Sequence, residues 1–202
     1  MARDRAARPE ARPLRLFVAF DVPTDVLGDL AVAVAPFRDR IPGARWTRTD
    51  GWHVTLKFLG ATWPRLLDWV HATVADVGAA SSPIVSHLTE VGAFPSIRRA
   101  RVLWAGLADP EGALAALVAR LDEALAAHFV PEQRSYSPHL TLARLNPPRD
   151  IREFAPELPS VPVRSDPFAV DRIVVYRSHL SPRGATYEPI ASTRIGVAAS
   201  PP

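Results

Sequence analysis

Two short segments of the 202-residue chain carry the residue types for acid–base chemistry: His53-Val54-Thr55-Leu56 and His139-Leu140-Thr141-Leu142. Each sets a histidine and a threonine two positions apart in an alternating apolar stretch. Two residues is one strand repeat, so each His and its Thr project from one face while Val and Leu point the other way. Imidazole titrates near pKa ~6.5, so one ring can accept a proton while a second donates one near neutrality. Threonine hydroxyls can donate hydrogen bonds to non-bridging phosphate oxygens, where charge builds in the transition state. Two such strands facing a common cleft suit acid–base chemistry on a phosphate.

The bare His-x-Thr pattern is not selective, because His71-Ala72-Thr73 and His87-Leu88-Thr89 also match. His71 falls on a helical pattern, where positions i and i+2 do not share a face. His87 lies in an expected strand, but Glu90 follows where the other two copies have leucine. His128 ends a helix, where an imidazolium suits the dipole without any further role. His179 falls in an expected loop and has no evident partner. The signal is therefore His-x-Thr-Leu on two strands, one in each half of the chain.

The elements that must hold these residues can be read coarsely. Strands are expected at Leu14–Asp21, Arg45–Thr47, Trp52–Gly60, Pro83–Val91, Arg101–Leu107, Pro138–Leu145, Phe168–Tyr176 and Thr186–Ile190. Helical periodicity covers Thr24–Arg40, with Thr24 as the cap, then Trp63–Val77 and Pro110–Phe129. A proline-rich connection is expected after Leu145, and a loop at Gly92–Arg99. The order predicts an α+β fold of mainly antiparallel sheets with helices on one face. Both halves share a strand–helix–strand grammar, which suggests an ancient duplication.

Composition narrows the function. Hydrophobic residues make up 48% and charged residues 22%, as in a soluble globular protein. With no cysteine, disulfides and thiolate metal sites are excluded. No apolar run approaches the ~20 residues of a membrane span, and the charged start lacks the apolar core of a secretory signal, so the expectation is cytoplasmic and without membrane association. The first fifteen residues hold five arginines against two acids, a surplus equal to the net +3 of the whole chain. Residues 1–13 are expected to be a disordered basic tail, and the rest of the chain balances to no net charge, which does not favour binding of a long polyanionic tract.

No metal is expected: the histidine strands lack nearby carboxylates, and His-x-Thr does not put two imidazoles on one element. There is no Gly-x-Ser-x-Gly and no Gly-x-x-x-x-Gly-Lys, so neither a serine nucleophile nor ATP is implied. Should the substrate carry a base, Trp46, Phe58 and Tyr136 are the candidates for stacking on it. Period-two parity puts Phe58 with Val54 and Leu56, on the core side. Arg144 falls on the parity opposite to His139, at the end of its strand.

The longer contexts are more selective. Trp52-His53-Val54-Thr55-Leu56-Lys57-Phe58-Leu59-Gly60 and Tyr136-Ser137-Pro138-His139-Leu140-Thr141-Leu142-Ala143-Arg144 resemble the paired signatures of the 2H phosphoesterase superfamily. The likeness is greatest to bacterial and archaeal RNA 2',3'-cyclic phosphodiesterases, first described as 2'-5' RNA ligases. It extends to Arg15-Leu16-Phe17-Val18-Ala19-Phe20, to Phe94-Pro95 leading into Arg101-Val102-Leu103-Trp104, and to Val175-Tyr176-Arg177-Ser178 through Tyr187-Glu188. One departure is Gly51-Trp52, where the family has a helical or turn segment ending in leucine. The resemblance implies a bilobal fold, residues 14–198 forming one two-lobed catalytic domain around a central cleft. It implies catalysis by His53 and His139, phosphate binding by Thr55, Thr141 and Arg144, and no cofactor. The implied reaction is metal-independent hydrolysis of RNA or nucleotide 2',3'-cyclic phosphates to 2'-phosphates, reversible as ATP-independent 2'-5' ligation. A monomer acting on RNA termini is expected, with His139 as base and His53 as acid. The rival expectations are a related enzyme acting on another cyclic phosphate or a 2'-5' linkage, and a non-catalytic RNA-end binder.

Overall fold

The computed structural model describes residues 12–158, 161, 163, 165–181 and 184–196. Most of the expected basic tail, and the last residues of the expected domain, lie outside the described residues. The chain runs β1 (Leu14–Phe20), α1 (Thr24–Val34), β2 (Ala44–Trp46), β3 (Val54–Thr62), α2 (Leu67–Ala79), β4 (Ile84–Ser86), β5 (Leu88–Phe94) and β6 (Ala100–Leu107). It continues with α3 (Ala113–Leu125), β7 (His139–Arg149), β8 (Phe168–Val170), β9 (Arg172–Ser181) and β10 (Gly184–Arg194). This is an α+β fold with a large antiparallel sheet, a small second sheet and few helices, as the sequence leads one to expect.

The large sheet has the order β10-β9-β1-β3-β7-β6-β5, with β2 also on β7, and β4-β8 form the small sheet. Two half-sheets are visible within it. β1 and β3 pair along their length, as do β6 and β7. Between the halves, β3 meets β7 through the single ladder pair Val54↔Leu140. That pair sits inside the two His-x-Thr motifs.

The core lies beneath the sheet, where α1 contributes Val26, Leu30 and Val34, α2 Val70, Val74 and Val77, and α3 Leu114, Leu117, Leu121 and Leu125. These side chains join Val54, Leu56, Leu140 and Leu142 in one cluster. The 3.6-residue spacing of the apolar helix positions is what lets each helix bury one stripe there. No described helix is long and apolar enough to cross a membrane.

Several expected boundaries move. Thr24 opens α1 but does not cap it; Pro23 holds the cap position and no side-chain bond is made. α3 starts at Ala113, after left-handed Gly112, because the Asp109 carboxylate accepts the Leu114 and Ala115 amides at 2.9 Å. A carboxylate there also faces the positive end of the helix dipole. The expected Pro83–Val91 strand divides at His87, and β5 continues through Gly92 to Phe94. The prolines after Leu145 do not end β7, which runs to Arg149. His179 is not in a loop but on β9, its Nε2 2.8 Å from Glu188 on β10.

Candidate active site

Antiparallel pairing of Val54 with Leu140 fixes what surrounds it. Both residues are fully buried in the core, so their neighbours His53, Thr55, His139 and Thr141 fall to the opposite face. The register sets His53 beside Thr141 and Thr55 beside His139. All four are half-buried, as a cleft that admits a substrate requires. His53 immediately precedes β3, and His139 is the first residue of β7.

The two imidazoles are held alike. His53 Nδ1 lies 2.8 Å from the carbonyl of Gly51, and His139 Nδ1 lies 2.7 Å from that of Ser137. A carbonyl only accepts, so each Nδ1 carries the proton, and Nε2 of each neutral ring is left as an acceptor towards the cleft. Both bonds reach back two residues along the chain. Around His53 the short 3-10 turn Thr49–Gly51 shapes this return, so a turn segment is present although it ends in Trp52 rather than leucine.

The environments of the rings differ. His53 has the Phe17 ring at 4.7 Å and the Tyr187 ring edge-on at 4.8 Å, with Tyr176 at 6.0 Å. The Tyr176 hydroxyl donates to the Asp21 carboxylate, 2.7 Å from one oxygen and 2.9 Å from the other. His139 meets the edge of Phe94 at 5.0 Å, which leans on Trp104 at 5.1 Å. Trp104 can lie flat because Gly92 has no side chain; a Cβ there would stand 2.2 Å from the indole ring.

Burial lowers the pKa of both histidines below the usual 6.5, since an apolar site disfavours the imidazolium. For His53 the Gly51 carbonyl and the Asp21 charge partly oppose this, while Arg144 and His139 add to it. For His139 the Ser137 carbonyl opposes it and Arg144 adds to it, with no carboxylate contributing.

Two sequence expectations about side-chain direction are overturned by one cause. The register of β1 on β3 passes from Val18↔Lys57 to Ala19↔Thr55, so Leu56 is an extra residue on β3. The register of β6 on β7 passes from Leu103↔Ala143 to Trp104↔Thr141, so Leu142 is an extra residue on β7. Each bulge reverses the alternation beyond it. Phe58 is therefore turned out of the core and is 64% exposed, within 6.2 Å of the Phe17 ring. Arg144 is likewise on the same face as His139 and Thr141, and exposed. The bulges stand at matching places, one residue past each threonine.

The remaining candidates separate. Phe58 lines an open groove of about 560 Å³ with Trp63, Arg65 and Val130. Tyr136 donates its hydroxyl to the Thr55 carbonyl at 3.1 Å, bracing β3, and burial raises its pKa. Trp46 is opposite the buried Ala143 and packs against the core, so it is not brought to the catalytic face. The inner partner of Phe58 is Lys57, buried and ion-paired with Asp122 of α3.

Thr47 and Arg45 were not singled out by the sequence. Thr47 Oγ1 lies 2.8 Å from the carbonyls of both Thr141 and Leu142 and accepts from the Trp52 indole at 2.7 Å. It thereby ties the turn before His53 to the second motif. Arg45 is directly opposite Arg144. Neither position carries a pattern that distinguishes it from an ordinary strand residue. Among the described residues no group of three His, Cys, Asp or Glu could hold a metal ion.

The model of the 2'-5' RNA ligase superfamily matches residues 29–182, a span that includes both motifs. The chain belongs to that superfamily. An RNA 2',3'-cyclic phosphodiesterase of Methanothermobacter thermautotrophicus is 30% identical over 178 residues, 86% of this chain and 95% of that protein. One of Geobacillus stearothermophilus is 33% identical over 154 residues, 75% of this chain and 48% of that longer protein. Among solved structures, a Thermus thermophilus protein superposes with a TM-score of 0.73 at 25% identity, covering 92% of this chain and all of that one. Escherichia coli LigT complexed with NADP+ shares the fold at a TM-score of 0.70 and 24% identity, covering 92% of this chain and 99% of LigT. Superfamily membership accounts for the paired signatures, which sit where the two half-sheets join.

Proposed function

We propose that this superfamily member is an enzyme that hydrolyses 2',3'-cyclic phosphates at RNA ends or on nucleotides, leaving a 2'-phosphate. The observation that carries the reading is the matched pair of imidazoles, each anchored through Nδ1 on a main-chain carbonyl. A simple binding module has no need of two titrating rings presented alike. Relatives named RNA 2',3'-cyclic phosphodiesterase support the same substrate class.

The ring phosphate lies between the two histidines. His139 Nε2 takes a proton from water as the water oxygen attacks phosphorus. The P–O3' bond breaks in line, and His53 Nε2 gives its proton to the departing ribose 3'-oxygen. The products are a 2'-phosphomonoester and a 3'-hydroxyl, with the proton now on His139 and returned through solvent. We assign His53 as acid and His139 as base; burial lowers both rings, and the Asp21 charge works towards protonation at His53. Thr55, Thr141 and Arg144 hold the non-bridging oxygens, where charge-assisted bonds strengthen as charge develops. Phe58 offers a face for the terminal base. A 5'-hydroxyl of another RNA in place of water gives 2'-5' joining without ATP. Both halves of the site come from one chain, so no second copy is needed to complete it.

Phosphorus NMR of 2',3'-cyclic AMP incubated with the protein and EDTA tests this. A 2'-phosphate is expected; no turnover overturns the enzyme reading, and a 3'-phosphate overturns the regiochemistry. His53→Ala and His139→Ala should each lose about 10²–10⁴-fold in rate while staying folded. His87→Ala, in the break between β4 and β5, should not.

A further inference from the structure

Arg45 on β2 and Arg144 on β7 are direct partners across the ladder. Both are exposed, and among the described residues no ion pair is formed by either. Like charges placed directly opposite each other destabilise a sheet unless something neutralises them. Arg48, three residues further along the chain from Arg45, is by contrast bound by Asp50.

The position of the pair matters as much as its charge. β2 and the His53 segment follow one another along the same side of β7, joined by Thr47. The Arg45–Arg144 pair therefore stands at one end of the catalytic face, beyond Thr141, and Phe58 stands at the other. From Thr141 to Arg144 the bulge leaves two ladder steps, roughly 7 Å at ~3.3 Å per residue. Arg144 lies close enough to act on both imidazoles electrostatically, whereas Arg45 is one strand further out.

We propose that Arg45, one strand outside Arg144, forms a second anionic subsite, which takes the phosphate on the 5' side of the terminal nucleotide while Arg144 stays on the cyclic phosphate that reacts between the histidines. This rests on the phosphodiesterase reading and adds a substrate preference to it: an RNA end, which carries that phosphate, over a cyclic mononucleoside, which lacks it. Arg45 is a positioning residue, since it holds a remote part of the substrate and does not touch the reacting atoms. A guanidinium suits the task because its fork can hold two phosphate oxygens at once.

A minimal pair of substrates isolates the subsite: adenosine 2',3'-cyclic phosphate, with and without a 5'-phosphate. The wild type should favour the 5'-phosphorylated form by about ten-fold or more in kcat/KM, as for a hydrogen-bonded charged group. Arg45→Gln should remove most of that preference, chiefly through KM, and leave the form without the 5'-phosphate unchanged. It should also keep or raise Tm, because it relieves a like-charge contact. Equal losses on both substrates, or an unchanged preference, overturn the proposal. If the wild type turns over neither substrate, the phosphodiesterase reading fails by itself. Binding of the same two compounds, measured by calorimetry with wild type and Arg45→Gln, then decides the subsite.

Discussion

His53 and His139 are chemically equal in the sequence and unequal in the fold. Each ring is pulled below its usual pKa by burial, and only His53 has a carboxylate, Asp21, working against that pull. The unfolded chain therefore binds more protons than the native one in the window between the lowered values and about 6.5. Stability from these two groups is complete above that window and is lost as the pH falls through it. Denaturant unfolding at pH 5.5 and 7.5 should show a smaller loss on acidification in the His53→Ala/His139→Ala double variant than in the wild type. Because kcat/KM reports the free enzyme, its pH maximum should lie on the acid side of 6.5. The identity of these residues was legible in the sequence, since His-x-Thr-Leu occurs in matched form in both halves. Their asymmetry was not, because Asp21 and Tyr176 lie far from both motifs in the chain and meet His53 only through the pairing of β1, β3 and β9.

The strands were placed well from alternation alone, but alternation fails at a bulge. Two apolar residues in a row, Leu142-Ala143, are a readable warning of the one on β7. On β3 the same position holds Lys57, which a period-two reading takes for an outward residue, and the sequence gives no hint that Asp122 waits for it inside. Lys57 also donates to the Val130 carbonyl at 3.2 Å, so it pins the end of α3 under the catalytic strand. Truncating one partner strands a buried charge, whereas replacing both removes the need for pairing. Lys57→Ala should cost about 3–5 kcal/mol in denaturant unfolding. Lys57→Met with Asp122→Leu should recover most of it and most of the activity, since the outward face is unchanged. Failure of the double variant to recover would mean that the ion pair itself, and not the filled space, sets the bulge.

At the scale of the molecule, the α+β class and the duplicated grammar followed from the order of elements. The way the halves meet did not, because one ladder pair leaves no signature in composition or period. A site completed within one chain predicts a 22.0 kDa species in sedimentation, with specific activity independent of protein concentration. Activity that falls on dilution would place part of the site on a second copy. The histidine anchors carry one more consequence, for the gene rather than for the enzyme. The oxygens that hold the two imidazoles belong to the main chain at Gly51 and Ser137, and every amino acid supplies that oxygen. No codon change at either position can delete it. The tautomer of both rings is thus inherited through the path of the backbone, and at exposed Ser137 the side chain can drift without erasing it.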